Sequence, residues 1–106
     1  LRSQEHELLR RDVALAESIE GSHRLMYQFA MSSYLQNDMP AAEKYLLNAW
    51  RQQPDSQAYL LALATMYVQL QDAENADRFV RRLLKLDPEN AQYEMLRRAA
   101  ERIPPK

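Results

Sequence analysis

An all-α fold of antiparallel helix pairs stacked in series is what this sequence predicts, on three observations. The chain has one glycine in 106 residues, whereas all-β folds and phosphate-cradling loops need several residues at positive φ, which glycine usually supplies. Laid on itself at an offset of 34 residues, it matches Pro54 with Pro88, Ala30 with Ala64, Ala42 with Ala76 and Asp38 with Asp72. Large apolar residues fall in register too: Met26 with Leu60, Phe29 with Leu63, Tyr45 with Phe79 and Leu46 with Val80. Each period then holds two stretches with the spacing of an amphipathic helix.

The elements follow in order. Residues 3–19 carry Leu9, Val13 and Ala16 at i, i+4 and i+7 and read as a helix closed by Glu20-Gly21-Ser22. Residues 23–36 repeat the stripe with Met26, Phe29, Ala30 and Ser33, and residues 39–52 with Ala42, Tyr45, Leu46 and Ala49. Between them stands Asn37-Asp38; Asp38 is placed to cap the next helix with its carboxylate, and Pro40 sits in the first turn, where a missing N–H costs nothing. The second period runs the same way: Leu60, Leu63, Ala64 and Tyr67 in a helix at 57–70, Gln71-Asp72 at the turn, then Ala76, Phe79, Val80 and Leu83 in a helix at 73–86. Pro54 and Pro88 break the chain between periods, each followed by a polar pair able to cap, Asp55-Ser56 and Glu89-Asn90. A last helix at 90–102 carries Tyr93, Leu96, Ala100 and Ile103, and Pro104-Pro105 ends it. Small residues mark where paired helices come close, so Ala30 is expected against Ala42 and Ala64 against Ala76.

Composition removes several function classes. Hydrophobic residues are 46% and charged residues 27% of the chain, a globular balance. A formal net charge of −1 offers no field for nucleic acid, and no apolar run is long enough for a membrane span. Without cysteine there is no disulfide or thiolate metal site. His6 and His23, the two histidines, lack metal-ligand spacing; His23 reads as a helix-start residue behind a Ser22 cap. No phosphate loop, nucleophile motif or paired carboxylate is visible, Glu43, Asp77 and Glu94 falling on solvated faces, so no catalytic residue, cofactor or metal is expected. Arg10-Arg11, Arg81-Arg82 and Arg97-Arg98 alternate with acids and read as solvated faces. Leu1 is not an initiator methionine, so the chain reads as a piece of a longer soluble protein or as the end left by removal of a targeting segment. The compartment stays open, with the cytoplasm favoured over the periplasm or the exterior.

A 34-residue helical hairpin carrying Leu60, Leu63, Ala64, Tyr67, Asp72, Ala76, Val80, Leu83, Asp87 and Pro88 resembles the tetratricopeptide repeat. A second copy is carried by Met26, Phe29, Ala30, Asp38, Ala42, Leu46, Ala49 and Pro54. The resemblance implies a right-handed α-solenoid with about two full repeats and flanking helices, in one domain spanning 1–106. Residues 3–19 would close a degenerate preceding repeat, 23–56 and 57–90 would be the repeats, and 91–103 a terminal cap. The cap suits Glu94 and Arg97, which stand where the family places large apolar residues. One departure is the glycine expected between paired helices, here Asn37 and Gln71. Glutamine adopts the left-handed conformation poorly, so the turn at Gln71 is expected to be built differently.

The resemblance also implies a groove lined by the first helix of each pair, which receives a peptide or a helix. The residues in those places are Arg24, Tyr27, Gln28, Met31, Tyr34, Ala58, Leu61, Ala62, Thr65, Val68, Gln92, Met95 and Ala99. One subclass clamps a C-terminal carboxylate with lysine, asparagine and arginine. Tyr27, Met31, Ala62, Gln92 and Leu96 stand in those places here, so no such clamp is expected. The expectation is a non-enzymatic interaction scaffold for an apolar or amphipathic segment of a partner protein. The alternatives are a structural spacer or homo-oligomerisation element of a larger protein, a groove covered by the chain's own helices, and an auxiliary domain of an enzyme. Tyr45 and Trp50 read as packing residues.

Overall fold

The computed structural model of the protein describes residues 22–104. The helix expected at 3–19, with His6 and Arg10-Arg11, lies outside them. Among the described residues are five α-helices and no strand: α1 (His23–Leu35), α2 (Met39–Gln52), α3 (Gln57–Gln69), α4 (Ala73–Leu86) and α5 (Ala91–Glu101). The expected spans agree to within one residue at each end. The chain divides into two compact units, Leu1–Gln52 and Gln53–Lys106.

In the first unit α1 packs on α2. Met26 and Ala30 meet Ala42, Leu46 and Ala49 as its buried residues, and the Phe29 and Tyr45 rings lie 6.0 Å apart at 54°. Ser22 stands at the N-cap position of α1, but its side chain makes no capping bond. Its hydroxyl oxygen instead accepts from Gln52 Nε2 at 3.2 Å, which ties the start of α1 to the end of α2. The expected Ser22 cap is therefore replaced by a bond across the hairpin. The helices are joined by a turn in which Asn37 has φ 61°. Its N–H donates to Tyr34 O at 3.0 Å, and the Asp38 N–H reaches back to Ser33 O at 2.8 Å. These are the two bonds of a Schellman motif. Asp38 then caps α2, its Oδ1 accepting from the Ala41 N–H at 3.3 Å.

The second unit repeats this hairpin and adds a helix. Ser56 caps α3 through the Tyr59 N–H, Asp72 caps α4 through the Asn75 N–H at 3.2 Å, and Asn90 caps α5 through the Gln92 and Tyr93 N–H groups. α3 packs on α4, and α5 packs on both. Leu60, Leu63, Ala64, Ala76, Val80 and Leu83 are wholly buried, and Tyr67 stacks on Phe79 with centroids 5.7 Å apart and planes 6° from parallel. The Tyr93 hydroxyl donates to Gln57 Oε1 at 2.7 Å and ties α5 to the start of α3. The aromatic pairing shifts by one turn between the hairpins. The first repeat puts its ring at Phe29 and a serine at Ser33, whereas the second has Leu63 and then Tyr67 in the matching places.

The turn at Gln71 corrects one expectation. It is built like the one at Asn37: φ is 59°, the Gln71 N–H donates to Val68 O at 3.1 Å, and the Asp72 N–H donates to Tyr67 O at 3.0 Å. Closing the hairpin in this register needs a left-handed residue whatever its side chain, and the Gln71 amide adds a bond of its own to Val68 O at 3.1 Å. A left-handed non-glycine residue costs about 1–2 kcal/mol, and glycine returns about 0.4–1 kcal/mol of that through its freer unfolded chain. Gln71→Gly is therefore expected to stabilise the protein by about 0.5–1 kcal/mol in urea denaturation. A midpoint that stays put or falls would contradict the strain.

Candidate partner-binding surface

The first helix of each pair differs from the second in charge. Among the thirteen residues of α3 none is charged, and α1 has Arg24 alone beside His23. By contrast, α4 carries Glu74, Asp77, Arg78, Arg81, Arg82 and Lys85. A helix apolar round its whole circumference is ordinarily covered on every side. On α3 one side is covered, the one that carries Tyr59, Leu60, Leu63, Ala64, Met66 and Tyr67. The other side holds Ala58, Leu61, Ala62, Thr65 and Val68; Ala58 is exposed and the rest are half-buried.

The expected groove residues are distributed accordingly. Ala58, Leu61, Thr65, Val68, Gln92 and Met95 lie on α3 and α5, two helices in contact within one unit. Gln92 is exposed, Ala99 is half-buried, and Met95 is 70% exposed, which for a methionine on a packed helix marks an open apolar site. Arg24, Tyr27, Gln28, Met31 and Tyr34 all lie on α1 in the other unit, with Arg24 and Gln28 exposed and the remaining three half-buried. Leu35, at the end of α1, is 85% exposed and had no place in the sequence reading. The signal was available, because Arg24, Gln28, Met31 and Leu35 share a face at i, i+4, i+7 and i+11.

Several charged side chains of the second unit are engaged with one another. Arg81 pairs with Asp77 at 2.8 Å and Arg82 with Asp55 at 2.8 Å. On α5, Arg97 Nε donates to both carboxylate oxygens of Glu94 at 3.0 Å, Arg97 also reaches Glu101, and Arg98 lies 3.7 Å from Glu94. The hydrogen bond from Arg97 holds the Glu94 carboxyl below the usual carboxylate range; partial burial opposes this, and the charges of Arg97 and Arg98 add to it. These pairs fit the reading of both dibasic stretches as solvated faces. The Lys44 ammonium lies over the Tyr45 ring and the Arg78 guanidinium over Phe79, at 5.9 and 5.5 Å from the centroids. Among the described residues no group of three or more histidine or acidic side chains is placed to hold a metal ion, and no helix is long and apolar enough to cross a membrane.

Comparison with known proteins adds one finding. The family model described as tetratricopeptide repeat matches residues 33–100, from the end of α1 through α2, α3 and α4 to nearly all of α5. No curated protein and no solved structure matches the chain. Tetratricopeptide repeats generally mediate protein–protein interaction and are typically non-enzymatic scaffolds. The match spans more than half of the chain and takes in the end of α1, all of α2 and the whole second hairpin, so the chain belongs to the tetratricopeptide-repeat family.

Proposed function

We propose that the protein is a non-enzymatic interaction module that holds an apolar or amphipathic segment of a partner protein against the outward faces of its first helices. The observation that carries this is α3: thirteen residues without a charge, apolar on the covered side and on the open one. Leaving Leu61, Ala62 and Val68 half-exposed, on a helix packed against the one that carries Met95, adds nothing to the hairpin, whose own core is already closed. The partner-facing residues are Ala58, Leu61, Thr65, Val68, Gln92 and Met95 in one unit and Arg24, Tyr27, Gln28, Met31 and Tyr34 in the other. With Arg24 the one formal charge among them, recognition rests on shape and apolar contact, which favours flexible methionine and tyrosine side chains.

The test is selection of a displayed library of helical peptides on the purified chain, followed by the paired substitution Tyr27→Ala with Leu61→Arg. Apolar-faced peptides are expected to be enriched. The double variant should keep its helical ellipticity and bind them more than about a hundredfold more weakly, since a charge buried without a partner costs about 3 kcal/mol. Undiminished capture would place the site elsewhere. A second reading, self-association, is favoured by the exposure of Leu35 and Met95. Sedimentation at increasing concentration separates the two, because a chain that stays monomeric excludes it.

A further inference from the structure

We propose that Met95 is an oxidation site through which a hydroperoxide closes the apolar face of α3 and α5 to its partner, an inference that rests on the reading of that face given above. The chain has no cysteine, so two-electron oxidation by a peroxide has no thiol to consume it and falls on the five methionines. The fold sorts these sharply. Met26 and Met66 are 0% and 1% exposed, Met31 and Met39 are half-buried, and Met95 is 70% exposed. In the reaction the Met95 thioether sulfur gives up two electrons and gains one oxygen atom; the hydroperoxide ROOH loses that oxygen and leaves as ROH.

The product is local in its effect. Tyr93 and Ala100 make the buried side of α5, and Met95 points away from both on the helix wheel, so a sulfoxide there leaves the core of the unit intact. On the open side it sets a strong dipole on the face that Met95 shares with Ala99 one turn on, beside α3, whose open side carries Leu61, Ala62 and Val68. An apolar segment docking there brings no donor of its own and must desolvate the sulfoxide, which costs affinity.

The experiment treats the chain with hydrogen peroxide until it has gained one oxygen atom per molecule and maps the site by peptide mass. The oxygen is expected on Met95, with helical ellipticity unchanged and the affinity for a peptide selected on the unmodified chain reduced about tenfold. In Met95→Leu, the affinity, whatever its starting value, should stop responding to peroxide. Oxygen appearing first on Met31 or Met39 overturns the proposal, as does unchanged affinity after oxidation at Met95. Failure to select any peptide sinks the reading of the face as well, whereas a selected peptide that binds the oxidised chain equally well sinks only the oxidation site.

Discussion

Phe79→Ala is expected to cost about 3–5 kcal/mol, the usual range for removing a buried phenylalanine. Phe79 is 2% exposed at the centre of α4, stacked on Tyr67 from α3 and flanked by the Arg78 guanidinium. Truncation removes the burial and also the aromatic pair, worth about 0.5–1.5 kcal/mol beyond its area. A domain this size has about 5–15 kcal/mol in total, and each kcal/mol shifts its Tm by roughly 4–8 °C. A thermal melt followed at 222 nm should therefore move down by tens of degrees, or show the second unit already open at room temperature. Repeat hairpins contact only their neighbours, so the loss should fall first on the hairpin that contains Phe79. A Tm within a few degrees of the parent would mean that the stack contributes little.

Glu94→Leu with Arg97→Leu is expected to make the chain self-associate. At the 34-residue offset, Glu94, Arg97, Arg98 and Glu101 of α5 stand where α3 has Leu60, Leu63, Ala64 and Tyr67, all four buried. α5 thus replaces an apolar stripe by side chains that pair among themselves, and the stripe needs no covering helix. Restoring two leucines exposes a face built for packing. Burying both on each of two chains is worth about 6–12 kcal/mol gross, against an association cost of about 4 kcal/mol or more. Light scattering behind a sizing column should show mass rising with concentration in the variant; equal masses for variant and parent would remove the ion pairs' role as a cap. The same pairs respond to acid. Because Arg97 lowers the Glu94 carboxyl, their contribution is complete above the ordinary carboxylate range and is lost as pH falls through the lowered value, a dependence the double variant should lack.

The helices were legible because their signals are local. Stripes of period 3.6, aspartate and asparagine caps, and prolines between the pairs each act within a few residues, and the 34-residue offset let one hairpin check the other. The charged stripe of α5 was legible for the same reason, since it interrupts a pattern already seen twice. Two details were not. Ser22 has the chemistry of a cap, yet Gln52, thirty positions away, takes its hydroxyl. Gln71 has a poor propensity for positive φ, yet it adopts the conformation of Asn37 because Asp72 must both finish the Schellman turn and cap α4.

The candidate surface shows the same division. The sequence by itself determined that this is an all-α chain of repeated helix pairs, where each of α1 to α5 begins and stops, and that α3 carries no charge. It also picked out the core side of α3, because the 34-residue offset sets Leu60, Leu63, Ala64 and Tyr67 in register with the stripe of α1; with no charge on the helix, it could not say how open the other side stays. Only packing decided that: α4 and α5 close on the first side and bury Leu60, Leu63, Ala64 and Tyr67, while Leu61, Thr65 and Val68 remain half-open. Local pattern and repeat register fix a helix, its ends and its core side; how far an uncharged second side meets water depends on side chains that arrive from distant parts of the chain.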